Sequence, residues 1–153
     1  MYKRILVALD GSEQSCKALD HAVAISEKFG SELTLLAVIP MIPVFIQEGF
    51  GATYILTAMD TEKYNEKIEV FYQDILTEAE ARVRSGHPDL SVSTMLREGR
   101  PSATIVDVAE NEGYDLIVMG RSGIRGITGF ILGSTSRGVV DSCKKPVLII
   151  KTS

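Results

Sequence analysis

The sequence predicts an α/β fold, a parallel β-sheet with helices packed on both of its faces. Three observations carry that prediction. Short apolar runs rich in Val, Ile and Leu recur along the chain, most without polar alternation, as expected of strands buried on both sides. Segments of helical period fill the gaps between them. The two kinds follow one another as β-α-β-α-β-α-β-α-β, which right-handed crossovers turn into a parallel sheet.

Taken in order, Ile5-Leu6-Val7-Ala8-Leu9 is the first strand, and Asp10 ends it. From Ser12 to Phe29 the period changes to a stripe of Ala18, Leu19, Ala22, Val23, Ile25 and Phe29. Gly30 stands where a helix C-cap belongs. Leu33–Ile39 is the second strand, stopped by Pro40. A long helix is expected from Asp60 to Arg84, with Tyr64, Ile68, Phe71, Tyr72, Ile75, Ala79 and Val83 spaced by threes and fours. Gly86-His87-Pro88 terminates it. Leu90, Val92, Thr94 and Leu96 alternate as a third strand with one wetter face. Pro101 suits a first helical turn, and Ile105, Val106 and Ala109 carry an apolar face towards Gly113. Leu116–Met119 makes the fourth strand, Ser134 to Cys143 a short helix, and Val147–Ile150 the fifth strand. Only residues 40–59 resist the pattern, being too apolar for a solvated loop and too broken by Pro43, Gly49 and Gly51 for one helix. A hairpin-like excursion or short helix covering a domain edge or a partner chain is expected there.

At 153 residues the chain fits one domain, 1–153, with a core of its own. Sixteen basic against 20 acidic residues give a net charge of −4, which argues against a protein built to neutralise nucleic-acid phosphates. Cys16 and Cys143 lie far apart and outside any CxxC pattern, so two buried or half-buried thiols are expected rather than a disulfide or zinc site. The first apolar run is too short to be expected as a signal peptide, and no stretch reaches the roughly 18 apolar residues of a membrane span. The expected compartment is the cytoplasm, with no membrane partner.

Glycine placement points to chemistry. Six of the 13 glycines (Gly120, Gly123, Gly126, Gly129, Gly133, Gly138) fall in the 19 residues from 120 to 138, between a buried strand and a helix start. Glycine lets a backbone approach phosphate oxygens without a Cβ in the way, and free N–H groups at a helix start receive an anion. Ser134, Thr135 and Ser136 add three hydroxyls there, and Arg121, Arg125 and Arg137 add positive charge. Neither GxxxxGK[ST] nor GxGxxG is present, which excludes a P-loop and a dinucleotide fingerprint.

Gly120-Arg121-Ser122-Gly123, then nine residues, then Gly133-Ser134, resembles the G-x2-G-x9-G-[ST] signature of ATP-binding universal stress proteins. Ile5–Ser12, Gly99-Arg100-Pro101, Asp115–Gly120 and Lys145–Ile150 resemble the same family, so the likeness spans the chain apart from the region around 40–60. The resemblance implies a Rossmann-like, adenine nucleotide alpha hydrolase-like fold with strand order 3-2-1-4-5. The order reverses beside the first strand, which places a ligand crevice at the carboxyl ends of strands one and four. It further implies Asp10 and Val38 as adenine and adenosine contacts, and Met119 and Gly120 as contacts at base and ribose. Gly123 and Gly133 become close backbone approaches, and Ser134, Thr135 and Ser136 hold the phosphates. ATP is the implied cofactor, with Mg²⁺ or Mn²⁺ carried by the triphosphate. The implied assembly is a homodimer through the C-terminal strand, read by an unknown downstream protein.

Asp10 has a second reading as the N-cap of the first helix, and one carboxylate can serve both roles. His21 and His87 fall in no metal-ligand spacing, and Ser134-Thr135-Ser136-Arg137-Gly138 lacks the leading glycine of a hydrolase elbow. A phosphate cradle without an evident base favours a nucleotide-sensing module, with a slow ATPase or phosphotransferase as the alternative.

Overall fold

The computed structural model describes residues 1–41, 58–121 and 132–152. Five strands and four helices appear among them: β1 (Arg4–Ala8), α1 (Glu13–Phe29), β2 (Glu32–Pro40), α2 (Ala58–Gly86), β3 (Val92–Gly99), α3 (Pro101–Asn111), β4 (Leu116–Gly120), α4 (Ser134–Ser142) and β5 (Val147–Ile150). The strands form one parallel sheet of order β3-β2-β1-β4-β5. Both the class and the order agree with the sequence reading.

Strand periodicity sorts the core into two layers. Ile5, Val7, Leu33, Leu35 and Val118 face one way and pack under Ala18, Leu19, Ala22 and Val23 of α1 and Leu76 and Val83 of α2. Leu6, Leu36, Val38, Ile117 and Met119 face the other way, against Ile105, Val108 and Ala109 of α3 and Val139 of α4. Because both faces are covered, β4 is buried at every residue, which explains its unbroken apolar run.

Boundaries moved by a few residues where backbone pairing outranks polarity. β3 runs on through Arg97, Glu98 and Gly99, paired with Val38, Ile39 and Pro40. The helix expected from Asp60 begins at Ala58, so Ala58 and Met59 belong to α2 rather than to the apolar excursion. The remainder of that excursion, 42–57, lies outside the described residues. Cys143 is half-buried as expected, but Cys16 is exposed, because it falls on the outer face of α1. Among the described residues, no helix is long and apolar enough to cross a membrane.

Candidate functional site

Where β1 and β4 lie side by side, their crossovers leave in opposite directions along the sheet, and a cleft opens at their carboxyl ends. Its volume is about 200 Å³. The floor comes from strand ends: Ala8, Leu9 and Asp10 after β1, Leu36, Val38 and Pro40 on β2, and Met119 and Gly120 on β4. Ser12 and Ser15 of the α1 start, Tyr72 of α2, Pro101 and Ile105 of α3, and Thr135 of α4 complete the walls.

The loop after β1 is fixed by its own hydrogen bonds. Asp10 Oδ1 accepts from the Ser12 N–H at 2.9 Å, folding the chain over Gly11, whose φ of +82° belongs to the left-handed region glycine favours. Ser12, not Asp10, is the N-cap of α1: its Oγ accepts from the Ser15 N–H at 3.2 Å. Asp10 stands two residues outside the helix, exposed, with only Oδ1 engaged by hydrogen bonds among the described residues.

On the opposite side, Gly133 is the N-cap of α4 with φ −67° and ψ 167°, an extended conformation open to any residue. The cap position therefore makes no conformational demand for glycine. Having no side chain, Gly133 itself caps none of the first N–H groups of α4, and a helix start of this kind is a place where anions bind. Of the three hydroxyls, Thr135 lines the cleft and Ser134 is exposed, whereas Ser136 is buried and its Oγ donates to the Gly133 carbonyl at 3.2 Å. Asp10, Val38, Met119, Gly120 and Thr135 thus share one cleft, while Gly123 lies outside the described residues.

A universal stress protein family model matches residues 1–151. The chain belongs to the universal stress protein family. It is 32% identical over 151 residues to the universal stress protein YxiE of Bacillus subtilis, covering 99% of this chain and 100% of that one. The solved structure of UspA from Lactobacillus plantarum superposes with a TM-score of 0.75 at 25% identity, covering 97% of both chains. A universal stress protein solved in complex with cAMP gives 0.71 at 25% identity and 99% coverage of both.

Sequence reasoning missed Tyr72, the only described α2 residue in the cleft of this universal stress protein. Helical period marked it as one apolar position among seven; the signal available was its hydroxyl, which a fully buried core position would not favour. Burial, and then the negative charge of Asp10, push the Tyr72 pKa above its ordinary value. Among the described residues, no three His, Cys, Asp or Glu side chains converge as a metal site.

Proposed function

We propose that this universal stress protein binds an adenine nucleotide, ATP, in the cleft at the ends of β1 and β4, and serves as a nucleotide-dependent homodimeric regulatory module in the stress response. One observation carries the reading: a carboxylate, apolar walls and a helix start whose N-cap is a glycine meet at the switch point of the sheet. Val38, Met119 and Ile105 offer apolar surface to a planar base. Asp10 suits a sugar hydroxyl, which can donate to a carboxylate. The α4 start, with Thr135 and the glycine-rich chain before it, suits phosphate oxygens. A divalent cation would be held by those oxygens and by water, since the described residues supply no cluster for it. The relative solved with cAMP supports an adenine ring as the ligand class.

The decisive experiment denatures freshly purified protein and identifies any released nucleotide by mass, followed by calorimetric titration of the emptied protein with ATP. ATP in the released fraction and saturable rebinding are expected. Failure of both would remove the reading. Multiple-turnover release of ADP, abolished by one side-chain change, would instead make the protein an ATP-hydrolysing enzyme.

A further inference from the structure

The geometry points to Tyr72, which lines the same cleft as Asp10, as a ligand-contacting residue that joins Asp10 in reading the sugar hydroxyls of the nucleotide. The assignment rests on the nucleotide reading above and adds to it a contact from α2.

Tyr72 is placed by its packing against the core and by the seating of its helix face. Ile75, three residues further along α2, has its Cδ1 3.0 Å from where a Cβ on Gly11 would sit. Residues three apart share a helix face, so the face that carries Tyr72 is seated directly on the Asp10-Gly11-Ser12 loop. The Phe71 ring meets the Tyr72 ring edge-on at 5.2 Å and 88°. Tyr72 is half-buried: its ring packs against the core layer under α1 and α2, while the residue lines the cleft.

The chemistry of the pair is complementary. A carboxylate only accepts hydrogen bonds, whereas a protonated phenol donates. Asp10 keeps Oδ2 without a hydrogen-bond partner, and the Tyr72 hydroxyl has none either, among the described residues. Because burial and the Asp10 charge both disfavour the phenolate, Tyr72 remains a donor at neutral and mildly alkaline pH. A sugar hydroxyl can donate one hydrogen bond and accept another, and two residues of this cleft, Asp10 and Tyr72, can answer one each. A phosphate would meet the Asp10 charge here, so the anionic end of the ligand belongs at α4.

Calorimetric titration of the wild type and of Tyr72→Phe with ATP and with 2′,3′-dideoxy-ATP tests the assignment. The wild type should prefer ATP. Tyr72→Phe keeps the ring and removes one hydrogen bond, so ATP should bind roughly three- to tenfold more weakly while the dideoxy compound changes little. Asp10→Asn should narrow the same preference, and both variants should retain the wild-type circular dichroism. Unchanged affinities in Tyr72→Phe, or equal losses for the two nucleotides, would overturn the sugar contact while leaving nucleotide binding in place. A wild type that binds neither compound would remove the nucleotide reading, and this assignment with it.

Discussion

Gly120 answers to two demands at once. The sequence places it in a ligand-binding signature, and it does line the cleft. Yet a Cβ there would lie 2.6 Å from Gln14 Cβ and 2.7 Å from the Gln14 carbonyl carbon, because the first turn of α1 presses on the end of β4. Close packing and close ligand approach demand the same residue, so a glycine signature alone could not separate them. Tyr72 escaped for a related reason, since period tells which face of a helix is apolar but not which turn overlies the mouth of a cleft. Gly120→Ala is expected to cost about 1–3 kcal/mol in urea denaturation, as overpacking does when backbone must move. Wild-type stability would mean that α1 can slide away freely. Asp115 poses a different test at the same scale. Its Oδ2 accepts from the N–H groups of Lys3 at 2.9 Å and Arg4 at 3.0 Å, tying the start of β1 to β4. The Arg4 bond, then the Lys3 bond, hold its pKa below the usual carboxylate value. A pKa lower in the folded than in the unfolded state stabilises above the unfolded value, about 3.9, and that stability is lost as pH falls through the folded value. Asp115→Ala should therefore lose about 1 kcal/mol at pH 7, a figure reduced for its solvent exposure. The gap to wild type should narrow as pH falls below about 4, so paired melts should show a smaller gap at pH 3 than at pH 7. A gap of equal size at both would assign the effect to packing instead.

Elements were legible in the sequence wherever a local rule decided them. The residues Ser12 and Gly30 bracket α1 in the sequence, and the structure makes them its N-cap and its C-cap, the latter with φ +65°. Val147–Ile150 is β5 without adjustment, because an apolar run between Pro146 and a charged residue has little freedom to be read otherwise. The polar end of β3 was not legible, since Arg97 and Glu98 join the ladder through backbone groups that any residue supplies. The α1 cap was legible as a site but not as an atom: Asp10, Gly11 and Ser12 all suit a helix start, and only geometry gives the cap to Ser12 and the turn to Asp10. That division predicts separable effects. Ser12→Ala removes the acceptor for the Ser15 N–H and should cost about 1 kcal/mol, read as a lower melting temperature. Asp10→Ala should cost less stability and act mainly on ligand affinity. The reverse ranking would return the cap to Asp10.

At the scale of the whole molecule, the sheet of the described residues ends at β3 on one side and at β5 on the other, and these edges are not alike. β3 carries Arg97 and Glu98 at its carboxyl end, the kind of charge that discourages a second strand from pairing there. β5 offers Val147, Leu148 and Ile149, all only half-buried, and Val140 on the adjoining α4 is 42% exposed. An apolar edge whose outward backbone groups have no partner strand among the described residues invites a partner, and two copies related by a two-fold axis would cover both edges at once. We therefore place the proposed homodimer at β5. The ladder itself identifies the cleanest disruption. The carbonyls of Pro146 and Ile150 accept from the β4 side, from the N–H groups of Ile117 and Arg121. Successive peptide groups of a strand point to alternate sides, so the groups of Val147 and Ile149 point away from β4 and towards the open edge. Ile149→Pro consequently deletes an outward donor while sparing the β4 ladder. Light scattering at high micromolar concentration should report a dimer for the wild type and a folded monomer for Ile149→Pro. A monomeric wild type, or a variant that remains dimeric with native circular dichroism, would move the interface away from β5.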